Sequence, residues 1–243
     1  MQRPLLIGLL LLTACQAATP APTATAVRLI PTPPSATATL TPIPPPTFTP
    51  TPPPRFFIEE FESPPAYWSA LYASGDPAKA DLFHRDGKLV FELYHPNTWL
   101  YALFGVHEYQ TVHLEARIES SRSEVNYMGL VCHYDEQNGW YEFNISSDGT
   151  YTLLYGQWLA EGIARYTPIR SEASDRIAPG SAVNELGLDC YEDIVQAYIN
   201  GKIIRKVDVS RFGLAGGRVG ITAASFDDLP VVLAFDWFKV SEP

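Results

Sequence analysis

Trp140, Glu142 and Asn144 alternate along one short run, and Gln196 and Tyr198 alternate along another. With His133 they make a set of two flat aromatic side chains and four groups that can exchange hydrogen bonds with hydroxyls. Sugar sites need that mixture: an apolar plate for the C–H face of the ring and a few convergent polar groups that fix its orientation. The competing reading is a solvated outer face with ordinary scattered aromatics. Glycan is the ligand class these residues could take.

Other reactive side chains are less organised. His84, His95, His107, His113 and His133 show no metal-ligand spacing, and His107-Glu108 lacks the second histidine of a zinc-protease helix. There is no Gly-rich phosphate loop, no G-x-S-x-G and no C-x-x-C. A Ser/His/Asp arrangement assembled only in space stays open. Cys132 and Cys190 have no Cys or His at ligand spacing beside them, which makes a poor zinc signal.

The elements that must position these residues read as strands. Asp86-Gly87, Asp148-Gly149 and Asn200-Gly201 each separate or precede alternating apolar runs, and such dipeptides favour two-residue hairpin turns. Strands are expected at 88–94, 111–118, 127–134, 140–145, 151–155, 184–191, 195–199, 202–204, 218–223 and 231–240. No long amphipathic helix is evident. About a dozen short strands imply an all-β, two-sheet antiparallel sandwich. Alternation puts Leu130, Cys132, Phe143, Ile145, Leu186, Leu188, Cys190, Val195, Ala197 and Ile199 on the core face. It puts the candidate glycan set on the opposite face, expected to be one concave sheet.

Composition divides the chain. Of its 22 prolines, 13 lie between Pro20 and Pro54, in a stretch of Thr, Pro and Ala with Arg28 as its only charge. Proline-rich text of this kind favours an extended, semi-rigid spacer, with a reach on the order of 100 Å. Residues 55–243 then form one domain large enough for a sizeable core. The formal net charge of −10 disfavours nucleic acid and anionic lipid as partners.

The N-terminus resembles that of bacterial lipoproteins. Arg3 precedes an apolar run, Leu5 to Leu12, too short to span a bilayer as a helix. Leu12-Thr13-Ala14-Cys15 is similar to the lipobox. The resemblance implies a signal peptide over 1–14, cleavage before Cys15, and diacylglycerol on its thiol. The protein is then extracytoplasmic, held to the cell membrane by that lipid, with 15–54 as its linker. An ordinary secretory signal or an uncleaved anchor are the alternatives. With Cys15 lipidated, Cys132 and Cys190 remain as an even pair, which outside the cytosol reads as a disulfide; a reduced buried pair is the other reading.

The domain itself resembles the concanavalin A-like jelly rolls, in particular lectin/glucanase domains related to 3-keto-disaccharide hydrolases and to glycoside hydrolase family 16. The resemblance rests on Phe57-Ile58-Glu59-Glu60-Phe61, Gly129 to Tyr134, Asn138 to Gly149, Asn200-Gly201-Lys202 and Phe235 to Val240. It covers nearly all of 55–243. Glucanases of that family carry Glu-x-Asp-x-x-Glu on one concave strand, a spacing suited to retention. The motif is absent here: Glu59, Glu60 and Glu62 sit at the entry strand, and Asp189, Glu192 and Asp193 look like a hairpin turn. The resemblance further implies a structural Ca²⁺ near the joined termini, with Glu60 and Asp236 as candidate hard-oxygen ligands. A charge satisfied by backbone or by Trp237 is the simpler reading of Asp236. Asn144-Ile145-Ser146 matches a glycosylation sequon within a strand and is read as chance.

These observations favour a tethered, monomeric, non-catalytic recognition domain for carbohydrate. The alternatives are a glycoside-processing hydrolase using carboxylates elsewhere, and an envelope structural or protein-interaction module.

Overall fold

The computed structural model describes residues 52–120, 125–160 and 162–243. Cys15, the signal peptide and the linker up to residue 51 lie outside the described residues. Fifteen strands follow in order: β1 (Phe57–Glu59), β2 (Trp68–Ser74), β3 (Ala80–Arg85), β4 (Lys88–Leu93), β5 (Trp99–Tyr109), β6 (Val112–Ser120), β7 (Asn126–Asp135), β8 (Gly139–Ile145), β9 (Thr150–Ala160), β10 (Ile163–Ala173), β11 (Val183–Cys190), β12 (Ile194–Ile199), β13 (Lys202–Asp208), β14 (Gly217–Ser225) and β15 (Val231–Ser241). Two short 3₁₀ turns, Pro77–Lys79 and Ser210–Phe212, complete the regular structure.

The strands form two antiparallel sheets. One has the order β13-β12-β11-β6-β15-β4-β3, with β1 pairing the end of β15; the other runs β10-β9-β8-β7-β14-β5-β2. Apolar residues at alternate positions of both sheets interdigitate between them, as a sandwich requires. All ten residues expected in the core are at most 2% exposed. Cys132 of β7 and Cys190 of β11 are bonded across the sandwich, with 6.6 Å between their Cα atoms.

Two of the three turn dipeptides behave as expected. Asp86-Gly87 (φ 53° and 70°) and Asn200-Gly201 (φ 48° and 73°) are two-residue hairpin turns with both residues left-handed. Asp148-Gly149 is not. Four residues separate β8 from β9, only Gly149 has positive φ, and the Asp148 carboxylate accepts from the amide and hydroxyl of Thr150.

Strands β2, β3, β5 and β10 were not expected from the pattern. Most of β5 is buried on both faces, so its apolar run shows no alternation. β10 is half-exposed and contains Pro168, which a sheet tolerates at an edge.

The last residues of the proline-rich stretch pack on β5. His107 Nε2 donates to the Pro53 carbonyl at 3.0 Å, and Tyr109 Oη to the Arg55 carbonyl at 2.6 Å. The Arg55 guanidinium donates to the Glu108 carbonyl at 2.8 Å and lies 4.9 Å from the Tyr109 ring centroid.

Candidate functional site

The edge strands of the seven-stranded sheet, β10 and β2, approach each other. The sheet therefore curls, and its outward face is concave. Trp140, Glu142 and Asn144 of β8 point onto that face, because Tyr141, Phe143 and Ile145 between them enter the core. Two glycines make room for them. A Cβ on Gly156 of β9 would come within 2.3 Å of the Trp140 indole, and one on Gly129 of β7 within 2.3 Å of Asn144 Oδ1.

Glu142 is fully buried in an aromatic surround. Trp140 Nε1 donates to it at 2.6 Å, Asn144 Nδ2 at 3.0 Å and Trp99 Nε1 at 3.2 Å. Tyr101 Oη donates to it as well, and the Tyr101 and Tyr166 hydroxyls lie 2.8 Å apart. Burial pushes the Glu142 carboxyl above its ordinary range, while these donors pull it back. Burial, reinforced by the Glu142 charge, pushes both tyrosine hydroxyls up. The rings form a nearly continuous floor: Trp158 and Tyr134 each lie 5.3 Å from Trp140, Tyr101 lies 5.8 Å from it, and Tyr166 stacks on Trp99 at 4.3 Å.

Beside that floor a cleft of about 570 Å³ opens between β2 and the β9–β10 hairpin. Ala70, Leu71, Tyr72, Tyr134, Glu136, Trp158 and Gly162 line it. Trp158 Nε1 donates to Tyr134 Oη at 3.1 Å, which ties the two rings together. Glu136 stands at the rim, exposed, 2.9 Å from Arg218, whose guanidinium lies 4.9 Å from the Tyr134 ring centroid. Trp158, half-buried, is the aromatic face the cleft offers to a sugar ring, with the Glu136 carboxylate at the rim to accept hydroxyls, while Tyr134 is buried with Arg218 over its ring.

The expected set does not assemble as one exposed plate. Trp140, Glu142 and Asn144 are together, but all three are fully buried. His133 leaves the set. The β7–β8 register shifts after Cys132 and His133 has φ 51°, so its ring packs against Tyr141, a core residue, and donates from Nε2 to the Gln110 carbonyl at 3.1 Å. Gln196 and Tyr198 lie on β12 of the other sheet, where Asp189 accepts from Tyr198 Oη at 2.5 Å, Gln196 Nε2 at 3.2 Å and His113 Nδ1 at 2.5 Å. Alternation assigns a residue to a face of its own strand, but not to a sheet.

Of the two candidate calcium ligands, Asp236 pairs with Lys88 at 2.8 Å and Arg117 at 2.9 Å. Among the described residues, no three His, Cys, Asp or Glu side chains come together as a cation cage. Glu60 is exposed. The sequon asparagine, Asn144, is buried.

Sequence reasoning missed Trp99, Tyr101, Tyr134, Trp158 and Tyr166. The first two sit two residues apart on β5, the spacing of side chains that share a sheet face.

No protein-family model matches this chain, and no curated protein matches it. Solved structures do. A glycoside hydrolase family 16 endo-glucanase from Bacteroides ovatus is 12% identical over 76% of this chain and 99% of its own, with a TM-score of 0.54. The endo-β-1,3-glucanase of Pyrococcus furiosus is 13% identical over 76% and 93%, with a TM-score of 0.54. The Bacillus licheniformis β-glucanase is 11% identical over 77% and 98%, with a TM-score of 0.52. The fold is a concanavalin A-like jelly roll. At these identities the likeness establishes the architecture of the jelly roll alone, and its chemistry rests on the residues just described.

Proposed function

We propose that this chain is an extracytoplasmic lipoprotein, anchored through Cys15, whose jelly roll is a non-catalytic carbohydrate-recognition domain. The observation that carries the reading is the aromatic cleft walled by Trp158 and Tyr134 on the concave face. Its volume falls within the roughly 300–1,000 Å³ usual for small-ligand sites. That solved jelly rolls of this shape act on glucans supports carbohydrate as the ligand class. The buried Cys132–Cys190 bond supports folding in an oxidising compartment.

Retaining glycosidases place two carboxyl groups about 5–5.5 Å apart. The residues directly across from Glu142 in the sheet, about 4.5–5.5 Å away, are Val131 and Leu154, and its alternate neighbours along β8 are Trp140 and Asn144; none is a carboxylate. This arrangement favours binding over hydrolysis. One observation favours a second reading, a glycoside-processing enzyme: a raised carboxyl on the concave face is what a general acid needs.

A glycan panel that includes soluble β-glucans tests the proposal. Trp158→Ala is expected to weaken retention about tenfold, equivalent to about 1.4 kcal/mol. Tyr198→Ala, on the other sheet, should leave it unchanged. Failure to retain any glycan, or equal retention by Trp158→Ala, overturns the reading. Release of new reducing ends that Glu142→Gln abolishes favours the enzyme instead. Mass spectrometry of the mature protein should find a diacylated Cys15 at the N-terminus, and an unmodified start elsewhere removes the anchor.

A further inference from the structure

The Trp158 cleft does not stop at its own rim. A second cleft of about 490 Å³ shares Tyr134 and Glu136 with it, and a third of about 530 Å³ shares Glu108 and Asp135 with the second. Together they make one trench, which runs from the β9–β10 hairpin past the β7–β8 turn to Arg55 and the segment 213–217. The chemistry changes along it. In the first cleft Trp158 offers a ring face. Farther on, the tyrosine faces are covered: the Arg218 guanidinium lies 4.9 Å from the Tyr134 centroid, and that of Arg55 lies 4.9 Å from the Tyr109 centroid. These stretches present planar charged groups instead, the two guanidiniums and the carboxylates of Glu108, Asp135 and Glu136.

We infer that this trench is one extended binding site for a linear, neutral glycan, with Trp158 as its stacking position and Glu108 among the hydrogen-bonding positions beyond it. The inference rests on the carbohydrate reading above. One ring face stacks a single sugar unit. Each further unit presents hydroxyls, whose protons carboxylates accept and whose oxygens guanidiniums can reach. Charge selects against an acidic chain. In the trench three carboxylates stand against two arginines, and Glu136 already pairs with Arg218 at 2.9 Å. With a formal net charge of −10 on the whole chain, a uronate or sulfated glycan meets net repulsion. Asp135 belongs to the frame: its carboxylate accepts from the amides of Gln137 at 2.9 Å and Asn138 at 2.7 Å and so holds the β7–β8 turn. Glu108 does not. It is exposed, and its backbone carbonyl, not its carboxylate, accepts from Arg55. Glu108→Ala therefore strips a carboxylate from the junction of the second and third clefts and leaves both the turn and the Trp158 face in place.

Titration calorimetry of the full chain with linear β-1,3- and β-1,4-linked gluco-oligosaccharides, dimer to hexamer, and with galacturonate oligomers of the same lengths tests this. In the wild type, affinity for the neutral series should rise about tenfold from dimer to hexamer. Trp158→Ala should weaken every length. Glu108→Ala should leave the dimer unchanged and weaken the hexamer about fivefold, the worth of one hydrogen bond. The galacturonate oligomers should bind at least about tenfold more weakly than the neutral ones. Equal affinity at all lengths, with the dimer bound, overturns the extended site and leaves the carbohydrate reading standing. A folded Glu108→Ala protein that binds the hexamer as the wild type does, or that loses dimer and hexamer equally, overturns the role of Glu108 in it. Acidic oligomers bound as tightly as neutral ones, or bound alone, overturn the choice of a neutral chain. Absence of binding across both series overturns the carbohydrate reading and this inference together.

Discussion

The indole of Trp140 lies against the bare backbone of Gly156, directly across the β8–β9 pairing. No side chain fits there: a Cβ would come within 2.3 Å of the ring. The glycine fixes the position of the indole, and the indole in turn holds Glu142 through its Nε1. Gly156→Ala should therefore displace Trp140 and cost about 1–3 kcal/mol, the usual penalty for overpacking. Equilibrium denaturation measures the loss. A red-shifted tryptophan emission should accompany it as an indole gains water. An alanine variant as stable as the wild type would show that the ring is free to move.

Glu142 makes stability depend on pH in an unusual direction. Burial raises its carboxyl in the folded state above the ordinary value of 4.5. An acid raised in this way contributes stability in full below the unfolded value and loses it as pH rises through the folded value. Glu142→Gln removes that titration. Its amide brings two N–H groups among donors, a cost that does not change with pH. The variant should accordingly start less stable at acid pH and gain on the wild type as pH rises to neutrality. Chemical denaturation across that range reads the difference, and a constant offset would exclude Glu142 as the source.

His133 acts in the opposite direction. Burial holds its imidazole at about 4, against 6.5 when unfolded. A base depressed in this way stabilises the fold fully above 6.5, and the contribution is lost as pH falls toward 4. At 1.36 kcal/mol per pH unit the complete loss is about 3 kcal/mol. His133→Asn should flatten that part of the stability profile. An unchanged slope between pH 6.5 and 4 would place the acid sensitivity elsewhere.

The same residue shows where the sequence stops being legible. Alternation correctly sent Leu130, Cys132, Phe143 and Ile145 inward, because period two holds along an unbroken strand. At His133 the register slips, and a one-residue slip reverses every side chain beyond it. No local signal marks that slip. Sheet membership is equally hidden. Gln196 and Trp140 look equivalent in pattern, yet β12 and β8 lie in different sheets because long-range pairing decides the matter. The turns at Asp86-Gly87 and Asn200-Gly201 were readable because positive φ is a local demand. Tyr166 was not, since its role follows from the curl of a whole sheet that brings β10 toward β2.

The Cys132–Cys190 bond links the two sheets near the place where β7 loses its register. It closes a loop of 58 residues that includes β8, β9 and β10, the strands carrying Trp140, Trp158 and Tyr166. By the chain-entropy argument such a crosslink is worth about 4 kcal/mol, mostly through the unfolded state. Both sulfurs are fully buried, so a mild reductant should leave the folded protein oxidised until it unfolds. Thiol labelling of the denatured, unreduced protein should find neither cysteine reactive. The double variant Cys132→Ala/Cys190→Ala should lower the unfolding free energy by about 2–5 kcal/mol. Because the bond restrains the unfolded chain and not the cleft, a double variant that remains folded should bind glycan as the wild type does. Loss of binding with the fold intact would mean that the bond also positions the concave face.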